Sequence, residues 1–259
     1  MTASFRLVFV SLVLSLLVGG AVAQPQPEST RVVVRAVSND AKLLQDPVGG
    51  AFIRIVNAET GAVMAEGMQR GSSGSTEAIM REPHERGASI YDTEGAAYFE
   101  TTLALDRPTR VTITARGPLD YPQAQQRASK TLTLMPGADV AGDGLVLTLH
   151  GFIVEVLSPG RRAAAPGKML DVRARVRMMC GCPTKPGGLW DSDRYTIQAQ
   201  LIGEEGGVVA SAPLSYAGTT SEFEGAIRVP EAGATQLRVT AVDAERVNAG
   251  GASVDLFEE

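Results

Sequence analysis

Aromatic side chains make up only 5% of this chain, and histidine and cysteine each occur twice. So few rings argue against a broad stacking platform for bases or sugars. Two histidines, His84 and His150, restrict any histidine-dependent catalytic triad to those positions. A closed structural zinc site needs about four ligands, and the histidines are far in sequence from both cysteines. There is no cationic surplus either: the formal net charge is −5, with the two signs interspersed. Nucleic acid wants a basic face and an anionic membrane a basic cluster, so neither is an expected partner. No window of a dozen residues carries a 3.6-residue apolar period with caps. No phosphate loop or dinucleotide fingerprint occurs. The run Gly71-Ser72-Ser73-Gly74-Ser75 misses the nucleophile-elbow spacing, so a non-catalytic protein is expected over an enzyme.

Long apolar runs are also scarce, with one exception at the start. Arg6 precedes the run Leu7 to Val18, Gly19-Gly20 break it, and Ala21-Val22-Ala23 has the small-x-small form of a signal-peptide cleavage site. The run falls short of the roughly 20 residues of a membrane span. Gln24 stands where a lipoprotein would carry its acylated cysteine. These features predict a leader over residues 1–23, cut after Ala23, and a mature chain without a membrane span, periplasmic or secreted.

Beyond a linker over residues 24–30, short β-branched segments bounded by Gly, Pro, Asp or Asn follow one another. They include Arg31 to Val37, Ala51 to Val56, Tyr98 to Leu103, Arg110 to Ala115, Lys130 to Leu134 and Leu145 to His150. After them come Lys168 to Cys180, Tyr195 to Ile202, Val208 to Ser215, Phe223 to Val229, Gln236 to Asp243 and Gly251 to Leu256. That rhythm predicts an all-β chain of two consecutive β-sandwiches. The Pro/Gly-rich stretch from Ser158 to Gly167 reads as the divider between them. Phe152 to Val156, however, reads as a first strand of the second, so the domains are set at 31–151 and 152–259.

Two stretches of the first half resemble the carboxypeptidase regulatory-like (transthyretin-like) β-sandwich. One is Asp46-Pro47-Val48-Gly49-Gly50-Ala51-Phe52-Ile53-Arg54-Ile55 with its Glu59-Thr60-Gly61 hairpin. The other is Tyr91-Asp92-Thr93-Glu94-Gly95-Ala96-Ala97-Tyr98-Phe99. The resemblance covers about residues 31 to 150 and implies a structural or binding module. It departs from the family at Gly67 to Ser89, a polar insertion where a short connection is usual; insertions of that length are often functional or mobile. The connection from Asp243 to Gly251 resembles the late hairpin of bacterial immunoglobulin-like domains.

The feature richest in chemistry is Arg177-Met178-Met179-Cys180-Gly181-Cys182-Pro183, at the end of a cleanly alternating strand. Leu170, Val172, Ala174, Val176, Met178 and Cys180 share one face, so Met178 is expected in the core and Met179 in solvent. Three readings stand open. Two thiolates with one or two thioethers suit Cu(I), with Cys180 and Cys182 as ligands, Met178 or Met179 as accessory ligand and Trp190 as shield. A Cys180–Cys182 disulfide is the second. On an extended strand their Cα atoms would lie about 6.6 Å apart, near the upper limit for a bridge, which a turn at Gly181 would shorten. So small a ring stabilises by only about 1.6 kcal/mol in the entropic model, a profile that also fits thiol/disulfide redox work. Buried core filler is the third. Elsewhere, Met64, Met68, Met80 and His84 suggest a weaker metal site, and Asp139 with Asp143 hint at calcium without its full loop pattern. The function this predicts is an exported binding or accessory protein with a protein partner.

Overall fold

Strand β1 (Glu28–Ser38) shows why alternation gives way in the first half: from Val32 to Ser38 every residue is buried. Near-continuous apolar runs of this kind belong to strands covered on both faces, and the computed structural model supplies the two covers. It describes residues 26–160, 162–163 and 165–257. The leader expected over residues 1–23, with its cut after Ala23, lies outside the described residues.

The first half continues with β2 (Ala51–Asn57), β3 (Val63–Gln69), a short helix α1 (Thr76–Met80), β4 (Phe99–Leu105), β5 (Thr109–Gly117), β6 (Gln126–Leu134) and β7 (Val140–Leu149). One sheet has the order β4-β1-β7 and the other β3-β2-β5-β6. The β1–β7 pair is parallel, with Ala36 beside Leu147, and the β1–β4 pair antiparallel. Val32, Val34, Leu103 and Leu147 of one sheet meet Ile53, Ile55, Val111 and Ile113 of the other in one core. The β2–β3 hairpin turns where its residues demand it: Asn57 Oδ1 accepts from the amides of Glu59 and Thr60, and Gly61 takes the left-handed conformation at φ +73°.

The second cover is the segment from Tyr91 to Ala97, which follows the insertion over residues 67–89. β3 runs on to Gln69, whose buried amide replaces ladder bonds by donating to the carbonyls of Ala36 and Leu44 at 3.0 and 2.9 Å. Arg70 and Ser72 bridge to Tyr98 and Ala96. Ser75 caps α1 by accepting from Ala78 N. The returning chain lays Tyr91, Ala96 and Ala97 against Val37 and Leu43 on the outer side of β1. There Arg35, 2% exposed, donates to Asp92 Oδ1 at 2.7 Å and to the carbonyl of Gly142 at 2.6 Å.

Asp143 pins this layer. Its carboxylate accepts from Ser89 Oγ and from the amides of Ile90, Tyr91 and Asp92 at 2.7 to 2.8 Å. Burial opposes its charge, but those four bonds outweigh burial and hold the carboxyl below its ordinary range. A depressed folded pKa contributes stability that is complete above the unfolded value of about 3.9 and disappears as pH falls through the folded value. Asp143→Asn is therefore expected to cost about 1–3 kcal/mol at neutral pH, to free the amides of Ile90 to Asp92 for hydrogen exchange, and to flatten the acid limb of the stability curve. Unchanged exchange at those three amides would refute the pinning.

The second half comprises β8 (Phe152–Ser158), β9 (Arg162–Ala163), β10 (Met169–Met178), β11 (Thr196–Ile202), β12 (Val208–Pro213), β13 (Ser215–Tyr216), β14 (Glu222–Arg228), β15 (Gln236–Asp243) and β16 (Asn248–Phe257). Its sheets have the orders β13-β14-β10-β8 and β12-β11-β15-β16-β9. Val172, Ala174, Val176 and Phe223 of the first face Ile197, Ala199, Leu237 and Val239 of the second. Because β8 pairs with β10, Met178 opposite Phe152, the stretch from Ser158 to Gly167 is a connection inside this sandwich and not the divider its composition suggests. Only His150 and Gly151 separate β7 from β8. Among the described residues, no helix is long and apolar enough to cross a membrane.

Candidate functional site

Strand β10 alternates as its sequence requires, and its inner residues down to Met178 fill the second core. The chain then turns back. Gly181 N donates to Met178 O at 2.8 Å, and Met178 N to Cys182 O at 3.1 Å. Gly181 sits at φ +82°, a left-handed conformation that glycine adopts at least cost. The turn brings the Cα atoms of Cys180 and Cys182 to 5.4 Å, and a disulfide joins the two residues. That separation is inside the range a disulfide requires. Behind the turn Thr184 is locked by Oγ1 donating to Val176 O at 2.7 Å and by its amide donating to Ser221 Oγ.

The tip of this turn is pressed against the first sandwich. Gln45 Nε2 donates to Cys180 O at 2.8 Å. A Cβ on Gly181 would lie 2.9 Å from Val48 Cγ1, so the two halves touch there through bare backbone. Trp190 belongs to the same apolar cluster as Met178, Cys180 and Cys182, and its Nε1 donates to Asp40 O at 3.0 Å. Ala41 and Met80 of the first half pack onto that cluster.

Met179 overturns one expectation. Its side chain is completely buried, not solvated, and it packs in the core of the first sandwich with Leu44, Ala51 and Leu149. Alternation places it correctly on the side of β10 opposite Met178. At the strand's end, however, that side meets another sandwich instead of water. The two methionines thus serve two cores. Met178 Sδ accepts from Tyr195 OH at 3.7 Å. Burial, then the carboxylates of Asp243 and Asp40, push the Tyr195 phenol far upward, so it remains a protonated donor.

Contacts around the turn extend the joint. Arg177 donates to Tyr121 OH and to Glu155, both at 2.8 Å, and lies 5.1 Å from the centre of the Tyr121 ring. Val48 and Ala124 pack on Ile153. On the far flank Asn39 Nδ2 donates to Arg246 O at 2.6 Å, Asn248 Nδ2 to Asn39 O, and Gly151 N to Asn248 Oδ1. Arg246 pairs with Asp40. Sequence reasoning names none of Asn39, Asp40, Gln45, Tyr121 or Asn248 here. Gln45 and Cys180 are 135 positions apart, and no local pattern links them.

The structure brings together Cys180, Cys182, Met178 and Trp190, and sends Met179 elsewhere. The weaker candidates disperse. Met64 packs on the first core and Met80 on the second. His84 Nε2 lies 3.0 Å from Ala78 O, and His150 Nδ1 lies 3.2 Å from Val247 O. Asp139 accepts from Arg31 N at 2.8 Å. Among the described residues, no group of three or more His, Cys, Asp or Glu gathers as metal ligands do.

No family model and no curated protein matches the sequence. Among solved structures, the chain is similar to Dpr2 Ig1-Ig2 in its complex with DIP-Theta Ig1-Ig3. Identity is 8% over 89% of this chain and 100% of that one, with a TM-score of 0.28. A marsupial T cell receptor shares 9% identity over 90% of this chain and 74% of the other, at a TM-score of 0.32. Escherichia coli alpha-2-macroglobulin activated by porcine elastase shares 8% over 90% and 22%, at 0.20. Scores this low carry no functional inference. By its own sheets and cores, the molecule is an all-β protein of two sandwiches.

Proposed function

We propose that this chain is an exported, non-catalytic binding protein in which two sandwiches act as one rigid body to engage a protein partner. The Cys180–Cys182 disulfide shapes the turn that locks them together. One observation carries this reading: the residues richest in chemistry are spent inside a joint. Cys180 is 0% and Cys182 4% exposed, and the Cys180 carbonyl, Gly181 and Met179 all bear on the first sandwich. A rigid spacing between two sandwiches presents loops and sheet faces at fixed separation, which lowers the ordering cost of binding. Export is the compartment in which such a disulfide persists. The Thr60-Gly61 hairpin and the turn from Asp92 into β4 support a carboxypeptidase regulatory-like first module.

Cu(I) binding and thiol/disulfide cycling both need the two sulfurs reduced and reached by a reagent, which this burial opposes. Alkylation followed by mass spectrometry separates the readings. The folded protein is expected to resist dithiothreitol and iodoacetamide until denaturant is added. Cys180→Ser/Cys182→Ser is expected to stay folded yet lose about 2–3 kcal/mol, since it opens the ring and buries two hydroxyls. Stoichiometric Cu(I) uptake by anaerobically reduced, folded protein, absent in the double serine variant, would instead establish the copper reading and end this one.

A further inference from the structure

The outer face of the β3-β2-β5-β6 sheet holds a cavity of about 240 Å³ lined by Phe52, Arg54, Thr114, Arg116 and Arg127. Its arginines are neighbours by register. Arg116 stands directly opposite Arg127 on β6 and opposite Phe52 on β2, while Arg54 stands opposite Thr114. Like charges directly opposite on antiparallel strands destabilise the pair, and the surroundings do little to relieve it. Arg54 reaches Glu66 at 3.2 Å. Arg116 has one bond of 3.4 Å to Gln125 Oε1. The Arg127 side chain has no hydrogen bond or ion pair with any described residue. Three guanidiniums therefore face one carboxylate in a chain whose formal net charge is −5.

We infer that this pocket binds a dianionic oxyanion, a phosphate monoester or a free phosphate or sulfate ion. A carboxylate would neutralise one of the two surplus charges, whereas a phosphate monoester carries close to two and offers three acceptor oxygens. Guanidinium forks match such oxygens in bidentate geometry. Thr114 adds a hydroxyl at the cavity wall, and the half-buried Phe52 offers an apolar wall to whatever carries the group. This site is independent of the joint around Cys180.

The test is an amide-resolved NMR titration of the full chain at constant ionic strength, with inorganic phosphate, inorganic sulfate, phenyl phosphate and acetate as separate probes. Phosphate and sulfate are expected to saturate, to move the amides of Phe52, Thr114, Arg116 and Arg127, and to outcompete acetate. Tighter binding of phenyl phosphate assigns an ester-borne group, and equal binding assigns the free ion; both support the site. Arg127→Gln is expected to weaken binding about tenfold, and Arg127→Lys less, because it keeps the charge and loses the fork. Arg110→Gln, on β5 with Arg116 but outside the pocket, should stay within about twofold, as expected of a local site and not a diffuse field. Shifts that never saturate, acetate binding as tightly as phosphate, or equal weakening by Arg110→Gln would each overturn the proposal.

Discussion

Met179→Ala is expected to lower the unfolding free energy by about 2–4 kcal/mol, with the damage appearing in the sandwich that does not contain the residue. Met179 follows β10, a strand of the second half, but its side chain is 0% exposed in the core of the first. Truncation removes the side chain's transfer energy and leaves a void in the core of the first sandwich, which rigid strands refill poorly. Hydrogen exchange should therefore quicken on β1, β2 and β5. Met178→Ala is the control: its void opens between β10 and β11, so exchange should quicken on β10, β11 and β15. A change within about 0.5 kcal/mol for Met179→Ala, as for a surface position, would show that its side chain faces water after all.

The second large effect is expected at Trp190, the only tryptophan of the chain and 7% exposed. Trp190→Ala removes a large ring from the shared cluster and leaves Asp40 O without its donor, at a cost of about 3–5 kcal/mol. Trp190→Phe separates the two contributions. It keeps most of the apolar contact and loses only the bond to Asp40, so about 1–2 kcal/mol should go. The same ring reports on the joint. In the wild type, tryptophan emission and far-ultraviolet circular dichroism should follow one urea transition, as two sandwiches unfolding together require. In Trp190→Ala the circular dichroism curve should split into two steps. A wild type whose emission changes well before its circular dichroism would mean that the joint opens alone and the rigid-body reading fails.

Strand content was legible because it is written locally. A period of two, β-branched residues and Gly or Asn breakers sit within ten residues of one another, and the main strands overlap the expected segments, although β1 begins at Glu28 inside the expected linker and β6 and β7 begin at Gln126 and Val140, ahead of the expected Lys130 and Leu145. The insertion was less legible. Its composition gives no sign of a partner, yet Gln69 and Ser89 are polar because each finds one across the fold, namely Ala36 with Leu44, and Asp143. The stretch from Ser158 to Gly167 is ambiguous for a related reason. Pro and Gly mark a turn with equal strength inside a domain and between domains, and only the pairing of β8 with β10 decides which it is.

The sequence by itself determined that the chain is β-built, that Met178 and Met179 point to opposite sides of β10, and that Cys180 and Cys182 can be bridged if Gly181 turns. Those properties depend on backbone geometry over a few residues. Tertiary structure alone decided what lies on each side: the second core beneath Met178, and the first sandwich where water was expected over Met179. A side chain's direction is set by its own strand, but its surroundings are set by residues such as Gln45 and Asp40, more than a hundred positions away.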